Sequence, residues 1–208
     1  MSRKSDPDRK AEAERRLIAA AMTLAAEKGW RDLTLAEIAG AAETSLADLY
    51  RHFPGKLALL RGIARQADAA VLAGPAPDMG ERPHDRVFDV LMRRFDALEP
   101  YRAGLRVVWR ELRGDPSAAL CVAPQLPRSM AWMLEAAGLP GGGLAGMLKA
   151  RGLAAVWLAT LRVWFEDDSP DLARTMAALD ANLRRAEEVW NSVSRPRRRA
   201  TATEAPAP

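Results

Sequence analysis

Few side chains in these 208 residues are equipped for catalysis. There are two histidines, His52 and His84, and one cysteine, Cys121. Neither histidine has a cysteine, carboxylate or second histidine at metal-ligand spacing. One cysteine and two dispersed histidines form no Cys–His or Ser–His–Asp arrangement. Asp167 and Asp168 are adjacent on a helix and so point apart. Gly141-Gly142-Gly143 follows no strand and lacks the spacing of a phosphate-binding loop. The chain is therefore read as a non-enzyme, with no metal and no cofactor. What remains is anion recognition between residues 34 and 56. There, Tyr50, Arg51, His52 and Lys56 suit phosphate contacts. Ser45, Ala47 and Asp48, with Thr34 at the preceding helix start, suit closer approach to base edges. Ala47 fits a thymine methyl. Asp48 is either an acceptor for cytosine N4 or a repulsive group facing phosphates.

Those side chains need two short helices joined by a tight turn. Leu35, Ile38 and Ala39 share one face of the first, and Leu46, Leu49 and Tyr50 one face of the second. Thr34 with Glu37 reads as a capping box. Ser45 or Thr44 can cap the second helix, with Asp48 three residues after Ser45. Pro54-Gly55 ends it. A longer helix must brace the pair. It is expected from about Asp8 to Lys28, with Leu17, Ile18, Ala21, Met22 and Leu24 inward and Gly29 as a left-handed cap. Trp30 is expected in the core.

Residues 14 to 60 resemble the N-terminal DNA-binding domain of the TetR-like bacterial regulators. The likeness is carried by Ala20, Ala21, Leu24, Gly29, Thr34, Ile38 and Ala39. It continues in Ser45, the run Leu49-Tyr50-Arg51-His52-Phe53-Pro54, Lys56 and Leu59-Leu60. The family usually has a glycine near Ala42-Glu43, and glycine and threonine where this chain has Ala47 and Asp48. The resemblance implies a homodimeric regulator of double-stranded DNA with a palindromic operator. It also implies a ligand-binding C-terminal domain, release by that ligand, and a fourth helix from Lys56 to about Ala73 joining head to body. A shorter likeness, in Asp168-Ser169-Pro170-Asp171, Thr175 and Leu179, is to the COQ9 family of ubiquinone-biosynthesis accessory proteins. It implies lipid binding with a vestigial helix-turn-helix. Simple helix capping accounts for the same residues.

Composition favours helix throughout: alanine, leucine and arginine abound, with 49% apolar and 28% charged residues. The expected fold is all-α, about nine helices, with a three-helix head and a helical ligand-binding and dimerisation domain. The net charge of +4 suits an anionic partner. The lone cysteine, the lack of an apolar leader and an apolar run of only Leu153–Leu161 point to a cytoplasmic chain without integral membrane association. Expected boundaries are 1–73 for the head with its N-terminal arm and connecting helix, 74–83 for a Pro/Gly-rich linker, 84–193 for the second domain and 194–208 for a disordered basic tail.

In the second domain, helices are expected over 84–98, from Pro100 to Gly114, after Asp115-Pro116-Ser117 with a break at Pro124 and Pro127, from Leu144 to Asp167, and from Asp171 to Val193. The last carries the stripe Leu172, Met176, Leu179, Leu183, Ala186 and Trp190, expected to form a four-helix dimer interface with its neighbour. Trp109, Trp157, Trp164, Met130 and Met133 are candidate walls of a pocket. Arg151 and Arg162, eleven residues apart and so on one face, are its candidate cationic mouth, fit for a small apolar or acidic ligand.

Overall fold

The structure, a computed structural model, describes residues 6–114 and 124–194. The first five residues, the expected helix start at Asp115-Pro116-Ser117, Cys121 and the basic tail lie outside them. Every regular element among the described residues is helical.

α1 (Asp6–Lys28) absorbs the second half of the expected arm into its first turns. It buries Leu17, Ile18, Ala21, Met22 and Ala25, spaced at three and four. It stops at Gly29, whose φ of +94° only glycine adopts without strain. α2 (Leu35–Ala41) has the capping box: Thr34 Oγ1 accepts from the Glu37 N–H at 3.2 Å, and Glu37 accepts from the Thr34 N–H at 2.9 Å. α3 (Leu46–His52) is capped by Ser45, whose Oγ accepts from the Asp48 N–H at 3.0 Å. Between them Glu43 sits at φ +51°, a left-handed position where the resembling family has its glycine.

α4 (Lys56–Leu72) runs from the head into the body and packs against α1, α5 and α7. α5 (Pro83–Leu98) begins one residue before expectation, with Pro83 in the first position, where a missing N–H is harmless. A 3₁₀ turn at Glu99–Tyr101 leads into α6 (Arg102–Leu112). α7 (Gln125–Ala136) begins at the expected break, and Pro127 does not interrupt it. Pro124 is its N-cap and Pro127 lies in its first turn, where backbone N–H groups have no intrahelical partner in any case. α8 (Gly143–Trp164) is packed between α7 and α9 (Ala173–Ser194). Its 22 residues are long and apolar enough, by length and composition alone, to cross a membrane; 39% of that window is buried inside the protein. The expectation that the apolar run was too short rested on Leu153–Leu161 and overlooked the small residues before it.

The turn before α9 is a built cap. The buried Asp167 carboxylate accepts from the Thr175 N–H at 2.8 Å, from Thr175 Oγ1 at 2.7 Å and from the Ser169 N–H at 3.1 Å. Burial pushes the Asp167 carboxyl up, but these hydrogen bonds outweigh it and hold the group far below the carboxylate range. Leu172, at φ +54°, delays the helix to Ala173.

A single apolar cluster runs through both halves of the molecule. Head and body also meet between α1 and α6. At Gly104 an added Cβ would lie 2.3 Å from the Met22 carbonyl oxygen, so only glycine permits this crossing. Two turns further on, Glu111 accepts from the N–H groups of Trp30 at 3.1 Å and Arg31 at 2.7 Å.

Candidate nucleic-acid interface and ligand cavity

α3 buries Leu49 alone, followed by Phe53 at its C-cap. Leu46 and Tyr50, expected on the buried face, are 51% and 68% exposed. A two-turn helix braced from one side has room inward for one i, i+4 pair. The rest of α3 is an open surface carrying Ser45, Leu46, Ala47, Tyr50 and Arg51. Thr34 is exposed on α2. These residues form a convex face of short, apolar and cationic side chains, shaped to enter a major groove. Leu46 was missed in the sequence reading because a leucine one turn before another reads as core.

Three expected contacts are placed differently. Asp48 does not face outward as a bare carboxylate: Ser45 Oγ donates to its Oδ2 at 2.6 Å and Arg51 is ion-paired to its Oδ1. The Ser45 hydrogen bond, and then the Arg51 charge, keep its pKa below the usual value. His52 turns back to α1, with Nδ1 3.6 Å from Glu14 Oε1. Lys56 Nζ donates to the carbonyls of Trp30 at 2.6 Å, Arg31 at 3.0 Å and Leu33 at 2.9 Å, and lies 5.3 Å from the Trp30 ring centroid. All three of its N–H groups are taken, and burial lowers its pKa. In this structure His52 faces α1, and Lys56 supports the head rather than presenting a free ammonium.

A cavity of about 420 Å³ lies behind the head. Its wall takes Leu60, Ile63 and Ala64 from α4, Arg94 and Leu98 from α5, Trp109 and its neighbours from α6, and Trp157, Leu158 and Leu161 from α8. That volume is within the ~300–1,000 Å³ usual for small-molecule sites. Of the expected pocket residues, Trp109 and Trp157 line it. Met130, Met133 and Trp164 are fully buried core and do not. Phe95 links the sets, stacked on Trp157 at 4.3 Å and tilted against Trp164 at 5.4 Å.

Arg151 and Arg162 do share an exposed face of α8, and neither lines the cavity, although Leu158 on the same face does. Neither arginine supplies the expected cationic mouth among the residues that line the cavity. The cations at the cavity are Arg94, buried, and Arg113, exposed at its rim. Sequence reasoning missed Arg94 because its partner Asp68 is 26 residues away on another helix.

The class of protein follows from this geometry: a capped helix-turn-helix head joined by one long helix to a helical body with a half-open apolar cavity. Part of the chain matches a known family. Residues 17–63 match the family of bacterial regulatory proteins, tetR family. The whole chain is similar to a TetR transcriptional regulator from Nitrosomonas europaea, with 23% identity and a TM-score of 0.65 over 84% of this chain and 98% of that one. It is similar to a TetR transcriptional regulator from Rhodococcus sp. RHA1, with 23% identity and a TM-score of 0.61 over 88% and 97%. It also resembles NalD of Pseudomonas aeruginosa, described as the secondary repressor of the MexAB-OprM multidrug efflux pump, with 20% identity and a TM-score of 0.50 over 85% and 96%. Among curated proteins, none matches the chain. Residues 17–63 are thus a TetR-type DNA-binding domain, set in a chain with the fold of the TetR-family regulators.

Proposed function

We propose that the protein is a homodimeric transcriptional repressor that binds a palindromic operator and is released by a small apolar ligand. The observation that carries this reading is α4. Its first residue braces the helix-turn-helix through Lys56, and three residues further along line the cavity. A ligand in contact with Leu60, Ile63 and Ala64 acts on the helix that sets the head. Two heads must stand ~34–36 Å apart to reach successive major grooves, and a ligand that favours another spacing weakens binding. Repression by NalD, a protein of the same fold, supports the sign. The lipid-accessory alternative is not favoured. Asp48 is locally paired, and the segment Asp168 to Asp171 sits in a helix-capping turn.

The test is fluorescence anisotropy with duplexes tiled across the gene's own upstream region, in a salt series, against random duplex. Selective binding that weakens steeply with salt supports the reading. Equal binding to all duplexes, or none, overturns it.

A further inference from the structure

Arg94 constrains what the cavity can take; the inference rests on reading this cavity as the ligand site. The Arg94 side chain is only 3% exposed. Its Nε lies 3.0 Å from Asp68 Oδ1 and its Nη2 donates to Ser129 Oγ at 2.9 Å. Ser129 Oγ donates in turn to Asp68 Oδ1 at 2.8 Å. The guanidinium lies 4.4 Å from the centroid of Trp157, a ring that also lines the cavity. Arg94 Nη1 makes no hydrogen bond among the described residues. The cavity wall therefore holds an available N–H donor whose charge Asp68 already balances. Nearly all the rest of the wall is apolar.

A carboxylate placed here would be a second anion beside Asp68 with one cation between them, and an unbalanced buried charge is strongly disfavoured. Arg113 stays in water at the rim, 5.9 Å from the Trp109 ring, and does not neutralise a charge at Arg94. We propose that the cavity takes an uncharged, mainly apolar molecule with a flat aromatic body and one carbonyl-type acceptor, and that Arg94 Nη1 donates to that acceptor. The body lies among Trp109, Trp157 and Phe165. Of the two ligand classes expected from the sequence, apolar and acidic, this keeps the first. It also places the polar contact on the residue that ties α5 to Asp68 of α4.

Three probes of one shape separate the terms: 2-acetonaphthone, 2-ethylnaphthalene and 2-naphthoate. Their dissociation constants are measured on the full chain by calorimetry at pH 7.5. A hydrogen bond to a charged donor predicts that 2-acetonaphthone binds about 10-fold or more tightly than 2-ethylnaphthalene. The ketone should also bind more tightly than 2-naphthoate. In Arg94→Met combined with Asp68→Asn the charge pair and the free nitrogen are both gone, so the ketone's advantage over ethylnaphthalene should disappear. A wild-type measurement needs no variant: the infrared carbonyl stretch of bound 2-acetonaphthone should fall below its value in an apolar solvent. Naphthoate binding as tightly as the ketone overturns the uncharged ligand. Equal binding of ketone and hydrocarbon, or an unshifted carbonyl stretch, overturns the Arg94 contact. If none of the three binds, the cavity as a ligand site fails with the inference, while DNA binding stands or falls on its own assay.

Discussion

The ammonium of Lys56 closes three carbonyls of the α1–α2 turn, and removing it leaves them to water alone. Lys56→Ala is therefore expected to lower stability by about 1–3 kcal/mol, towards the low end because the turn is half exposed. A lost phosphate contact would flatten the slope of log K against log salt by about 1. With all three N–H groups engaged, the slope should stay as in wild type while the melting temperature falls. Anisotropy across a salt series, beside thermal melts, reads both. For Asp48→Ala the sign is opposite. Arg51 loses its local partner and becomes free for phosphate, so affinity for every duplex should rise and the salt slope steepen by about 1. Selective loss of preference at one base pair, costing about 1–3 kcal/mol, would instead mark Asp48 as a cytosine reader.

At the scale of elements, α8 and α9 cover each other with one face and leave the other open. Leu183 and Leu179 of α9 are buried within the protomer and serve the intramolecular pair, while Leu172, Met176, Ala186 and Trp190 of the same stripe are only half-buried. The open surface carries Leu148 at 47% and Val189 at 65% exposure, with exposed Ala155 and Ala159 alongside. Leu148→Glu with Val189→Glu is expected to yield a folded monomer by light scattering with unchanged circular dichroism. Leu183→Glu should unfold the protomer instead. A pair of exposed glutamates that leaves a dimer intact would put the interface elsewhere. The sequence revealed that α9 is amphipathic, since a 3.6-residue period is local information. Which neighbour meets the stripe is not local, and an intramolecular and an intermolecular helix pair make the same demand on it. The same limit separates the readings of the head and the cavity. Caps at Thr34 and Ser45 are three-residue patterns and were legible. The pairing of Arg94 with Asp68, and of Glu111 with the Trp30 turn, joins residues distant in the chain.

For the whole molecule, the two most strongly depressed carboxylates lead the response to acid. Hydrogen bonding from Lys28, and then from Thr34, lowers the Glu37 pKa from 4.5 to about 2. Asp167 is depressed as well. A folded-state pKa below the unfolded one gives stability that is present above the unfolded value and lost as pH falls through the folded value. The urea midpoint should hold between about pH 7 and pH 5 and fall from about pH 4.5 downwards. Glu37→Gln combined with Asp167→Asn should lower the plateau and flatten the fall; an unchanged acid limb would assign it to other groups. The crossing at Gly104 bears on motion rather than stability. The head is fastened to the body along two lines, the continuous α4 and the α1–α6 seam, where backbone touches backbone and Glu111 grips the turn. A body held at two lines has lost most of its freedom to tumble: it can rock about the axis joining them and do little else. Whatever displaces α4 is then converted into a rotation of one fixed direction, as a door's swing is set by its hinges and not by the hand that pushes it.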